Sequence, residues 1–166
     1  AEVTAAARLW QGSTVLTGPA ATAGAVSDVA ASVDVLHLSA HGRHSAENPL
    51  FSGVELVDGP WFGYDIDQLA HVPDVVLLSA CEVGRSEVRY GEELIGMTAA
   101  WQHSGVRSVI ASAAAVNDEA AHDVLLGVHR GLRAGLDPAA ALAAALRALP
   151  DGTKLPVRPT HLVVGQ

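Results

Sequence analysis

Two stretches of this 166-residue chain end alike. One reads Leu38-Ser39-Ala40-His41-Gly42, the other Leu78-Ser79-Ala80-Cys81-Glu82-Val83-Gly84. Each follows an apolar run, and each places a reactive side chain directly after Leu-Ser-Ala. A cysteine and a histidine within hydrogen-bond reach make the smallest thiolate dyad: the imidazole takes the thiol proton and the thiolate attacks a carbonyl. If the two runs are parallel neighbouring strands, His41 and Cys81 meet outside the carboxyl edge of the sheet, where open α/β folds place their ligands. Gly42 has no side chain to keep a substrate carbonyl away from its N–H. The N–H groups of Gly42 and Cys81 would then form an oxyanion hole, worth about 3 kcal/mol for each donor. A lone cysteine at a strand end, taken by itself, reads as buried and inert. The matching His41 end turns the reading towards catalysis.

Such a pair needs strands and helices in alternation to hold it. Residues 33–42 and 74–80 are Val- and Leu-rich and read as buried parallel strands. Residues 106–113 read as a third strand, 160–166 as a closing strand, and 13–18 (STVLTG) as a short early one. Residues 53–64 read as a hairpin around Asp58-Gly59-Pro60. Helices are expected over residues 2–10, 23–32, 91–105 and 117–135, with a short turn at 66–70. A last helix starts at Asp137-Pro138, with Asp as cap and Pro in the first turn. This order implies an α/β layered fold with a mostly parallel sheet.

The totals set limits. One domain of ordinary size is expected, and nearly half the residues are hydrophobic, enough for a real core. One Cys excludes an internal disulfide and suits a reducing cytoplasm. No secretory leader opens the chain and no apolar run reaches the roughly 20 residues of a membrane span. The opening Ala suggests a piece of a longer chain. A net charge of −8 argues against a nucleic-acid groove. Residues 47–93 hold ten of the eighteen carboxylates against only Arg85 and Arg89, a field that favours cationic peptides if it is more than a set of solvated loops.

Several blocks in order resemble the CHAT domain, a bacterial member of the caspase, separase and gingipain clan of cysteine peptidases. They are LHLSAHG, VVLLSACEVG, GEELIGMTAAW, SGVRSVIASAAAVNDEAA and GLRAGLDPAAALAAAL. The resemblance covers most of residues 1–166 and implies a caspase-like three-layer α/β/α fold. It implies His41 as general base, Cys81 as nucleophile, and Gly42 with Cys81 as oxyanion donors. By the same likeness Ser79 and Asp118 border the substrate pocket, although Asp118 also suits the first turn of a helix regardless of function. No metal or cofactor is implied. The expected partners are a protein or peptide substrate and regulatory repeat or sensor modules in a longer chain. The family usually has a Trp-Pro pair and two Asp residues where this chain reads Ala114-Ala115-Val116-Asn117-Asp118, so its substrate preference is not carried over. It also normally begins with a further strand upstream of residue 1, without which one edge of the sheet is missing.

The other histidines read blandly. His37, four residues before His41 on the same strand face, reads as a satisfied core residue. His44 reads as solvated, and His122 and His129, seven apart on one helix, as surface. A metal site of His37, His41 and His44 lacks a thiol or carboxylate at ligand spacing. Arg43, beside the His41 loop, reads as a surface charge sooner than as a substrate contact, and Glu82 reads equally as a solvated carboxylate or as a residue that orients its loop. The expected function is therefore a cytoplasmic cysteine endopeptidase, with a basic residue favoured before the scissile bond. The alternative is a caspase-like module that binds partners and no longer cuts.

Overall fold

The structure, a computed structural model, describes residues 2–43, 45, 48–79, 92–112, 118–150 and 161–165. Its main sheet has four strands: β1 (Val35–Ser39), β5 (Val75–Ser79), β6 (Ser108–Ser112) and β7 (His161–Gly165), in the order β1-β5-β6-β7. The first three are parallel and β7 runs antiparallel to β6. A second, antiparallel sheet joins β2 (Gly42–Arg43), β3 (Gly53–Leu56) and β4 (Gly59–Phe62).

Helices cover both faces, which explains why β5 is apolar without alternation. Val76 and Leu78 pack with the small sheet and with α2 (Ala23–Ala30) and α4 (Glu92–His103). Val75 and Leu77 pack on the other face against α5 (Asp118–Arg133) and α6 (Pro138–Arg147). The result is the expected α/β/α layering. The close approach of α5 to α6 needs small residues: a Cβ at Gly127 would lie 2.7 Å from that of Ala145, and one at Gly131 would lie 2.8 Å from that of Ala141. Helix α1 (Glu2–Ala7) packs on β1 and α5. No helix among the described residues is long and apolar enough to cross a membrane.

Two local expectations are corrected. Residues 13–17 form no strand although their composition favours one. Gly12 and Gly18 bracket them at φ 74° and 54°, Val15 is exposed, and among the described residues no neighbouring strand offers a ladder. Among the described residues β1 therefore stays the outer strand of its sheet. The short helix, α3 (Gly63–Ile66), begins three residues before the expected 66–70. Asp65 starts it by accepting the Phe62 N–H at 2.7 Å, a local cap that the apolar pattern does not reveal.

Candidate active site

The two strand ends lie side by side as far as Ser39 and Ser79. Leu38 pairs with Leu78 and Ser39 with Ser79 in the parallel register, and the Ala40 N–H donates to the Ser79 carbonyl at 3.3 Å. The chain then leaves the main sheet. The His41 carbonyl accepts the Glu55 N–H at 2.8 Å, which ties the His41 backbone to β3. In an antiparallel ladder bonded and non-bonded pairs alternate. His41–Glu55 is a bonded pair, so the next pair, Gly42–Val54, is not, and the Gly42 N–H points away from β3.

His41 is exposed. It stands at one end of a cavity of about 770 Å³ that runs along β1, with Glu55, Trp10, His37 and His129 among the lining residues. Ser79 is half-buried, and its hydroxyl donates to Glu2 Oε1 at 2.5 Å. Cys81, His44 and Glu82 lie outside the described residues. Asp118 opens α5 and Arg43 ends β2, their side chains also outside what is described. Among the described residues, no group of three or more His, Cys, Asp or Glu is placed to hold a metal ion.

The family model of the CHAT domain matches residues 1–161. The chain belongs to the CHAT domain family. The layered fold with its parallel strands is consistent with the caspase-like architecture of that family, which is associated with cysteine-peptidase-like proteins. No curated protein matches the sequence.

This CHAT domain also contains a polar string that motif spacing does not reveal. The Trp10 indole N–H donates to His129 Nδ1 at 3.0 Å. His129 Nε2 lies 3.0 Å from His37 Nδ1, with the two rings tilted and their centroids 5.1 Å apart. His37 Nε2 lies 3.1 Å from Glu2 Oε1. That last approach is close but lacks hydrogen-bond alignment, so it acts as an electrostatic contact. His129 is thus buried at 3 % exposure rather than on the surface, because α5 turns that face towards α1 and β1. His37 is half-buried rather than a satisfied core residue: its side chain is 7 % exposed, and among the described residues its Nε2 finds no aligned hydrogen bond.

Burial is the largest influence on the Glu2 carboxyl and raises it. The contacts with His37 and Ser79 and the field of His122 outweigh it and bring the group down to about 2. Burial pushes His129 down, His37 adds to that, and Glu2 opposes it, leaving the imidazole at about 4. The unfolded chain therefore binds a proton at His129 below pH 6.5 that the folded chain refuses until about 4. Stability is complete above pH 6.5 and falls as pH drops towards 4, by roughly 3 kcal/mol if the whole displacement is expressed. Glu2 extends the loss from 4.5 towards 2. Denaturant unfolding at pH 7.5, 6, 5 and 4 should show this decline, and His129→Gln should flatten it between 6.5 and 4. Parallel curves for the two proteins would assign the acid loss to other groups.

Proposed function

We propose that this CHAT domain is a cysteine endopeptidase whose dyad is His41 and Cys81. The observation that carries the reading is the in-register pairing of β1 with β5 up to Ser39 and Ser79, each two residues before a dyad member. His41 takes the Cys81 proton, and the thiolate adds to the peptide carbonyl. The oxyanion is held by the Cys81 N–H and by the Gly42 N–H, which the β2–β3 ladder leaves out. The tetrahedral carbon expels the amine as His41 returns the proton, and water activated by His41 hydrolyses the thioester. The surplus of carboxylates over residues 47–93 supports a basic residue before the scissile bond. The second reading, a partner-binding module, draws on the outer edge of β1, which pairs with no strand among the described residues.

The test is a pool of natural peptides incubated with the protein, with Cys81→Ala and His41→Ala alongside, and new termini read by mass spectrometry. We expect cuts in the native sample only, with Arg or Lys before the new terminus. An apolar residue there would discard the basic preference. No cuts from the full-length chain in the presence of its partner modules would favour the binding module.

A further inference from the structure

We propose that Trp10, His129, His37, Glu2 and Ser79 form an acid-released clamp that holds α1 on the carboxyl end of β5 and so positions the strand end leading to Cys81. The positioning clause rests on the dyad reading above; the clamp itself does not.

The order of protons follows from one donor. An indole nitrogen only donates, so His129 Nδ1 accepts from Trp10 and the neutral ring carries its proton on Nε2. That proton faces His37 Nδ1, which must accept. The His37 proton therefore sits on Nε2, against Glu2 Oε1. Ser79 donates to the same oxygen from the other side. These tautomers are inferred from the donor chain. Every donor runs towards Glu2, and a carboxylate, which only accepts, ends the string. Four elements meet there: α1 through Glu2, β1 through His37, α5 through His129 and β5 through Ser79.

A proton added to either imidazole finds no free place. On His129 Nδ1 it would face the indole N–H, and on His37 Nδ1 it would face the His129 N–H. Either breaks a link, and the loss of a link loosens α1. The titratable groups that act on the clamp are Glu2 on α1, His37 on β1, and His122 and His129 on α5. Glu2 and Ser79 are positioning residues, since neither takes part in the proposed chemistry.

The three indoles give the test its controls. Trp61 Nε1 donates to Ser27 Oγ at 2.9 Å, away from the string, and Trp101 Nε1 is buried without a partner among the described residues. Indole N–H resonances are followed from pH 7.5 to 4 in the native protein, Glu2→Gln and His129→Gln, the last keeping an acceptor that does not titrate. We expect the Trp10 signal alone to shift and exchange faster, with a midpoint near 4 set by His129, and His129→Gln to abolish the response. A Trp10 signal that stays constant, or that moves together with Trp61 and Trp101, would overturn the clamp. So would an unchanged midpoint in His129→Gln. In the same samples, Cys81 alkylation by iodoacetamide should slow about threefold at pH 6.5 in Glu2→Gln and not at pH 9.5, where the thiol ionises unaided. If His41→Ala slows alkylation at pH 6.5 and Glu2→Gln does not, the positioning clause falls. If His41→Ala has no effect, the dyad falls, and the indole alone decides the clamp.

Discussion

Replacing His41 with alanine should lower peptide cleavage about 10²–10⁴-fold, yet slow alkylation of Cys81 only several-fold at pH 6.5. The two numbers differ because the two reactions ask different things of the imidazole. Iodide leaves without a proton, so alkylation reads the thiolate alone. An ordinary thiol near 8.5 is about 1 % ionised at pH 6.5, whereas one drawn down to about 6.5 is half ionised. The thiolate of lower basicity is also the weaker nucleophile, with a Brønsted coefficient of about 0.4–0.5. Over two decades of acidity that takes back roughly eightfold, so the fiftyfold gain in thiolate shrinks to about sixfold. Cleavage loses more, because a peptide nitrogen must also be protonated as it leaves and water must be activated afterwards. The pH profiles should cross: at pH 9.5 both thiols are ionised, and the variant, with the more basic thiolate, should alkylate faster. Profiles that coincide from 5 to 10 would show that His41 does not touch the Cys81 thiol.

The elements that frame this pair are those whose signals are local. The apolar runs before His41 and Cys81 could be read as buried strands because a strand covered on both faces needs no alternation. Asp137-Pro138 announced α6, and the Asp137 side chain does accept the Ala140 N–H at 3.0 Å. What escaped depends on residues distant in the chain. Whether 13–18 becomes a strand is decided by a partner strand, which its own composition does not mention. His129 looked like a surface residue because its helix spacing matched His122. Its burial follows from Trp10, 119 positions away, and His37, 92 away. Glu2 had no legible role, since its two partners, His37 and Ser79, come from different strands. The site follows the same division. The strand that leads to His41 and the one that leads towards Cys81 were readable, whereas the direction of the Gly42 N–H depends on the departure of the chain into a second sheet.

That second sheet makes Trp61 the core position whose loss should reach the site most directly. Trp61 lies on β4 with no exposed surface. Its ring is 5.7 Å from that of Trp101 on α4, and its indole N–H bonds Ser27 on α2 at 2.9 Å. One side chain therefore fastens the small sheet to the helical layer. Trp61→Ala should cost about 3–5 kcal/mol in denaturant unfolding, a large share of the 5–15 kcal/mol typical of a domain. The effect should not stop at stability. Trp61 pairs with Val54 on β3, and the neighbouring Glu55 N–H holds the His41 carbonyl, so a loosened β4 frees the backbone on which His41 sits. Cleavage per folded molecule should then fall in Trp61→Ala as well. Trp61→Phe keeps most of the buried ring and gives up one hydrogen bond, a loss of about 1 kcal/mol, and should retain most of the activity. A Trp61→Ala protein that is less stable but fully active once folded would mean that His41 is held by β1 alone. The small sheet would then shape the cavity without setting the dyad.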